Sequence, residues 1–281
     1  MNSRDLWAAP PGRGLGLLFF ASSMLGCSPS SGTALRPDSG VGCSAPQTLC
    51  WDFEQGMIPE GWSPSRDDFN GTLVVDATKA HRGMYSLHAK DFSGGTPGQQ
   101  GGPKKTITYA LPANFGPVLW GRAFVFTTPA APDSHAGLFN ARYPPPNSTA
   151  TAMETLDWYE VATFTQKYMA IWHPPEPPGY PEDVLVSETP AVVGKWVCLE
   201  WLFDGANGTA SEAAQPRMWV DGTELTWPLA FTYPDGGPPF REKTASFTEL
   251  ETGIYLYQGL TQVTNWWIDD LGVGPRRIGC N

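Results

Sequence analysis

Two carboxylates stand side by side in an otherwise apolar run near the end of the chain, Asn265-Trp266-Trp267-Ile268-Asp269-Asp270-Leu271-Gly272-Val273. On a strand Trp267, Asp269 and Leu271 point one way, while Trp266, Ile268, Asp270 and Val273 share the other face only if the backbone kinks near Gly272. Burying an unpaired charge costs several kcal/mol, so the pair belongs either at an exposed strand end or on a hard cation. Calcium is the first choice of cation, because it takes carboxylate and carbonyl oxygens. Another carboxylate lies among aromatics in Trp51-Asp52-Phe53-Glu54-Gln55-Gly56, and pairing of the first strand with the last would bring Glu54 towards Asp270. The turn at His81-Arg82-Gly83-Met84 leads into alternating Tyr85 and Leu87 and can offer backbone carbonyls to a cation.

A second set of residue types suits acid–base chemistry. His135 opens the strand-like run His-Ala-Gly-Leu-Phe-Asn-Ala and reads either as a base or as a solvated strand-end histidine. Arg122 alternates with Phe124 and Phe126. A core-facing arginine is rare without a partner, so it either pairs with Glu160 or Glu200 or lines a cleft. Tyr257 and Gln258 adjoin, and strand alternation lets at most one of them line a site. His173 precedes Pro174-Pro175 and reads as a loop residue. With 12 tryptophans, the chain also has rings to stack on sugar faces. Trp158, Trp172, Trp227 and Trp266 lie near turns or out of phase with the core and are the candidate sugar platforms. Trp196, Trp201 and Trp219 read as core.

Helical signals are nearly absent from the segments that carry these side chains. Short β-prone runs bounded by Gly, Pro, Asn and Asp recur instead, at 72–76, 85–89, 105–111, 119–127, 135–141, 158–165, 168–172, 196–203, 217–220, 223–225, 247–257 and 266–273. Asp221-Gly222 between Met218-Trp219-Val220 and Thr223-Glu224-Leu225 is a tight-hairpin signal. Many strands without helices predict an all-β, antiparallel two-sheet β-sandwich. The proline-rich middle, residues 142–189, is expected to supply loops around a cleft.

With 18 basic against 28 acidic residues the formal net charge is −10, which disfavours nucleic acid or an anionic membrane surface as partner. Residues 1–27 read as an export signal, with Arg4 and Arg13 ahead of an apolar run too short to span a bilayer. The run ends in Met24-Leu25-Gly26-Cys27, which resembles the bacterial lipobox. Lipidation of Cys27 and outer-membrane or cell-surface anchoring are therefore expected, with plain secretion as the alternative. Any membrane contact is expected through that anchor alone. Residues 28–48 read as a flexible Ser/Pro/Gly tether and 49–281 as one folded domain, expected to be monomeric. Cys43, Cys50, Cys198 and Cys280 suggest two disulfides in an exported chain. Cys43–Cys50 with Cys198–Cys280 is preferred, and Cys50–Cys280 is the alternative. No CxxC spacing supports zinc.

Asp52-Phe53-Glu54, Gly61-Trp62, the Ala80–Leu87 run and Trp267-Ile268-Asp269-Asp270 together resemble carbohydrate-active jelly rolls of the concanavalin A-like type. That resemblance implies a structural calcium held by Glu54, the His81 backbone and Asp270, with Asp269 as a weaker ligand. Trp196–Trp201, Val220-Asp221-Gly222, Tyr257-Gln258, the Trp-Ile-Asp-Asp strand and Arg277-Ile278-Gly279-Cys280 are similar, in order and spacing, to the fungal cellulose-induced secreted proteins and the glucuronan lyases. This second resemblance implies a polysaccharide partner and cleavage of a uronan by β-elimination. Such a reaction needs a base, a group that neutralises the uronate and a proton donor for the leaving oxygen. His135 is then the base, Arg122 the neutralising cation, Tyr257 the base or acid, and Gln258 a further site residue. The relatives' Gly-Gly-Gln run on an inner strand is replaced here by Glu160-Val161-Ala162-Thr163-Phe164-Thr165-Gln166. A non-catalytic carbohydrate-binding or adhesion module on the same fold is the competing expectation.

Overall fold

The computed structural model describes residues 47–64, 71–94, 102–128, 134–144, 157–173, 183–206, 216–228 and 246–280. The signal region, Cys27, nearly all of the tether and Cys43 lie outside the described residues. The described residues form strands and no helix, arranged as two antiparallel sheets. Sheet A runs β13 (Thr223–Glu224), β12 (Arg217–Val220), β11 (Trp196–Asp204), β6 (Val118–Thr127), β15 (Leu260–Gly274), β4 (Ser86–Gly94), β3 (Thr72–Asp76), with β1 (Leu49–Trp51) also paired to β15. Sheet B runs β10 (Asp183–Pro190), β9 (Lys167–His173), β8 (Asp157–Phe164), β7 (Ala136–Tyr143), β14 (Glu249–Leu256), β5 (Lys104–Ala110), β2 (Trp62–Pro64).

Alternation sorts each strand's side chains. Ala123 and Val125 of β6, Leu199 and Trp201 of β11, Phe139 and Ala141 of β7, and Tyr159 and Val161 of β8 belong to one buried core between the sheets. Trp201 of sheet A stacks on Phe139 of sheet B with centroids 4.4 Å apart. A Cβ on Gly121 would stand 2.0 Å from the Trp201 ring, so that position admits only glycine. The first and last strands do pair, Leu49 with Val273, Cys50 with Gly272 and Trp51 with Leu271. Cys198 and Cys280 form a disulfide, which removes the Cys50–Cys280 alternative. Cys50 is itself disulfide-bonded.

Three expectations are corrected here. Beside the two strands expected within it, seen as β8 and β9, the 142–189 region contributes a strand where only loop was expected, the edge strand β10, whose Leu185 joins the core. Trp172 is not a sugar platform. It follows Tyr168 and Ala170 into the core and donates its indole N–H to Tyr143 Oη at 2.7 Å. Trp266 is likewise buried in the core, edge-on to Phe92. In both cases a residue's position near a strand end was a weaker guide than its parity along the strand.

Candidate active site

The opposite parity of sheet B, facing away from sheet A, carries a run of polar side chains. In register, Asn140 of β7 lies between Glu251 of β14 and Glu160 of β8. Glu160 is fully buried. Its Oε1 accepts from His135 Nε2 at 2.9 Å and its Oε2 from His173 Nε2 at 2.8 Å. Burial would raise the Glu160 pKa, but the two imidazoles outweigh it and hold the carboxyl down to about 2. Glu160 therefore acts only as an acceptor, and the ring nitrogen facing it in each histidine carries a proton. For neutral His135 the basic lone pair then lies on Nδ1.

Local backbone features bring these groups together. A Cβ on Gly137 would lie 2.2 Å from Glu160 Oε1, so this glycine lets the carboxylate lean across β7 towards His135. The Tyr257 ring stacks on His135 at 4.0 Å between centroids, and its hydroxyl lies 3.5 Å from His173 Nε2. Gln258 accepts the His135 backbone N–H on Oε1 at 2.9 Å. Tyr257 and Gln258 thus both touch His135, against the expectation that only one could. The reason is that β14 ends at Leu256, so strand alternation no longer governs the next two residues. His173, read from sequence as a loop residue, is the last residue of β9 and buried. Glu160 and His173 were missed as site residues because their meeting depends on cross-strand register, which no local pattern encodes. The backbone of Trp158 in β8 pairs with Arg142 and His173.

Beside this cluster the same face bears two buried cations. Lys104 lies 3.3 Å from Glu251 Oε1, and Arg142 pairs with Glu251 and, at 3.4 Å, with Glu249. Thr106 and Asn140 also donate to Glu251. Burial would raise the Glu251 pKa, but Arg142 and Lys104 hold it below the usual carboxylate range. The Lys104 ammonium sits 4.8 Å over the Tyr255 ring, which lies 4.3 Å from Tyr257, so cations and histidines are joined through touching rings. Ser134 Oγ, just before β7, and Asn140 Oδ1, within it, are buried with no hydrogen-bond partner among the described residues.

Arg122 is elsewhere. It belongs to β6 of sheet A, on the face bearing Phe124 and Phe126, and donates from Nη2 to the Asp270 carbonyl at 2.8 Å. Its parity opposes that of Ala123 and Val125 in the core, so Arg122 does not share a groove with His135 and Tyr257. Glu200 and Glu160, the carboxylates considered for it, bind Arg277 at 2.8 Å and the two histidines.

The residues assigned to calcium flank the loop between β3 and β4. Glu54 accepts the backbone N–H groups of Met84 and Tyr85, each at 3.0 Å. Asp270 accepts from Arg82 Nε at 3.0 Å, from Arg82 Nη2 at 3.1 Å and from His81 Nδ1 at 2.8 Å. Asp269 accepts the backbone N–H groups of His81 and Asp270, each at 2.7 Å. Burial and the neighbouring Asp270 nevertheless push its pKa up to about 7. The expected kink is present: Asp270 has φ +49°, and the register against β6 shifts between Asp269 and Gly272. The Asp270 carboxylate, the first of the carboxylates assigned to calcium, thus faces a guanidinium and an imidazole. Among the described residues no group of three His, Cys, Asp or Glu side chains is placed to hold a metal.

No protein-family model matches the chain, and no curated protein does. Solved structures match its fold. One is the cellulose-induced protein Cip1, at 19% identity and a TM-score of 0.57 over 83% of this chain and 100% of that one. Another is the endo-β-1,4-glucuronan lyase of the fungus Trichoderma reesei, at 12% identity and a TM-score of 0.56 over 82% and 96%. At these identities the likeness establishes the jelly-roll fold.

Proposed function

We propose that this chain is an exported carbohydrate-active protein that binds an acidic polysaccharide across sheet B and cleaves it by β-elimination. The observation that carries the reading is the His135–Glu160–His173–Tyr257 cluster on that face. Elimination from a uronate removes the C5 proton, forms the C4–C5 double bond with the released electron pair, and breaks the C4–O4 bond. His135 Nδ1 is the base for the C5 proton, and ionised Glu160 fixes the ring and stabilises the imidazolium that forms. The Tyr257 hydroxyl supplies the proton to O4. Lys104 and Arg142, not Arg122, are the buried cations among the described residues of this face and would neutralise the uronate carboxylate, which makes C5–H more acidic. Sugar hydroxyls would satisfy Ser134 Oγ and Asn140 Oδ1. The glucuronan lyase that shares the fold supports a uronan as substrate class. The disulfide supports an oxidising compartment, in keeping with export and with lipidation at Cys27.

A binding module is the second reading, favoured by the burial of Glu160, His135 and His173. The purified protein is offered glucuronan and alginate, and formation of unsaturated uronate is followed by absorbance alongside retention on each polymer. Product with wild type, reduced about 10²–10⁴-fold in His135→Ala, supports the lyase. Retention without product assigns the binding module, and neither product nor retention removes both.

A further inference from the structure

We infer that Arg82 takes the place of a structural cation in this fold, and that the clasp joining the 81–85 loop to the segment after β1 and to β15 closes without a metal. The clasp has three acidic residues, Glu54 after β1 and Asp269 and Asp270 in β15, and hydrogen-bond donors of the protein meet each of them. The Arg82 fork spans both Asp270 carboxylate oxygens at 3.0 and 3.1 Å. The Asp270 backbone carbonyl receives Arg122 at 2.8 Å. The carboxylate and the carbonyl of this residue are thus both held by guanidinium groups, whose charge repels a divalent ion brought to the carboxylate.

The arginine is also pre-positioned. Asp269 Oδ2 accepts the backbone N–H groups of His81 at 2.7 Å and Arg82 at 3.3 Å, which fixes the backbone from which the fork extends. The His81 ring lies flat on Phe124, 3.5 Å between centroids and 9° between planes, with Nδ1 on Asp270. At the loop's other end a Cβ on Gly83 would meet the Glu54 carboxyl carbon at 2.2 Å, so the carboxylate packs directly against the backbone. Planar guanidinium suits bidentate carboxylate geometry as ammonium does not.

The test is thermal unfolding of the full chain in chelator and in millimolar calcium, with calcium titration calorimetry on the chelator-treated protein. The expected result is the same Tm in both buffers, no saturable heat of calcium binding, and a Tm lowered by about 2–4 °C in Arg82→Gln. Arg82→Lys, which keeps the charge but loses the fork, falls between the two, and it stands in for Arg82→Gln if that variant does not fold. A wild-type Tm that drops in chelator and recovers with calcium overturns the inference. So does stoichiometric calcium binding, or a Tm unchanged by loss of the fork.

Discussion

Glu160 holds two imidazoles at once, and that double contact makes its charge consequential for stability as well as for the proposed chemistry. Its folded pKa of about 2 lies below the ordinary 4.5. The stabilisation it contributes is therefore fully present above the unfolded value and is lost as pH falls from about 5 to about 2. Denaturant unfolding of wild type and Glu160→Gln should differ at neutral pH and converge on acidification across that window. In turnover, Glu160→Gln should slow product formation by about 10–100-fold, as expected for a group that orients the base. His135 and Tyr257 were legible in the sequence as acid–base types on strand-like runs. Their partners were not, since Glu160 lies 25 residues from His135 and 13 from His173, and only the β7–β8–β9 register brings them together. Arg122 misled for a related reason: periodicity shows that a residue shares a face with Phe124 and Phe126, but not which sheet that face belongs to.

At the scale of elements, the site depends on where strands stop and bend. The strand β14 ends just before Tyr257 and frees it and Gln258 to reach the same histidine. Gly137 thins β7 where Glu160 leans over it. Gly137→Ala should cost about 1–3 kcal/mol by overpacking and displace the carboxylate, so that product formation falls more than stability does, as read by turnover beside a urea melt. Trp172 tests the opposite kind of role. As a core ring, Trp172→Ala should lose about 3–5 kcal/mol while polymer retention by the protein that remains folded is unchanged. The hairpin at Asp221-Gly222 was legible because a tight turn has a local chemistry, and it forms as expected between β12 and β13. The strand β10 was obscured by the prolines around it, and it pairs with β9 only at the sheet's edge.

For the whole molecule, the two sheets divide the labour. Sheet A closes the chain on itself through β1–β15, the loop clasp and the Cys198–Cys280 disulfide, while sheet B presents the polar face. The sandwich class could be read from strand spacing and the absence of helical periodicity; pairing of the first and last strands entered only as a condition for bringing Glu54 towards Asp270, and β1–β15 meets that condition. The division between sheets could not, because it follows from strand order, which short runs of alternating residues leave open. The disulfide spans a sequence separation of 82, and replacing both cysteines by serine should lower unfolding free energy by about 2–5 kcal/mol. The measurement that tests the central claim most directly is mass spectrometry of the products released from glucuronan in ¹⁸O-labelled water. Elimination at the sheet B cluster predicts fragments with an unsaturated uronate end, labelled only by slow exchange at the anomeric carbon of the new reducing end, and lost in His135→Ala. Saturated fragments that carry the label from the moment of release, or unsaturated fragments formed undiminished by His135→Ala, would contradict it.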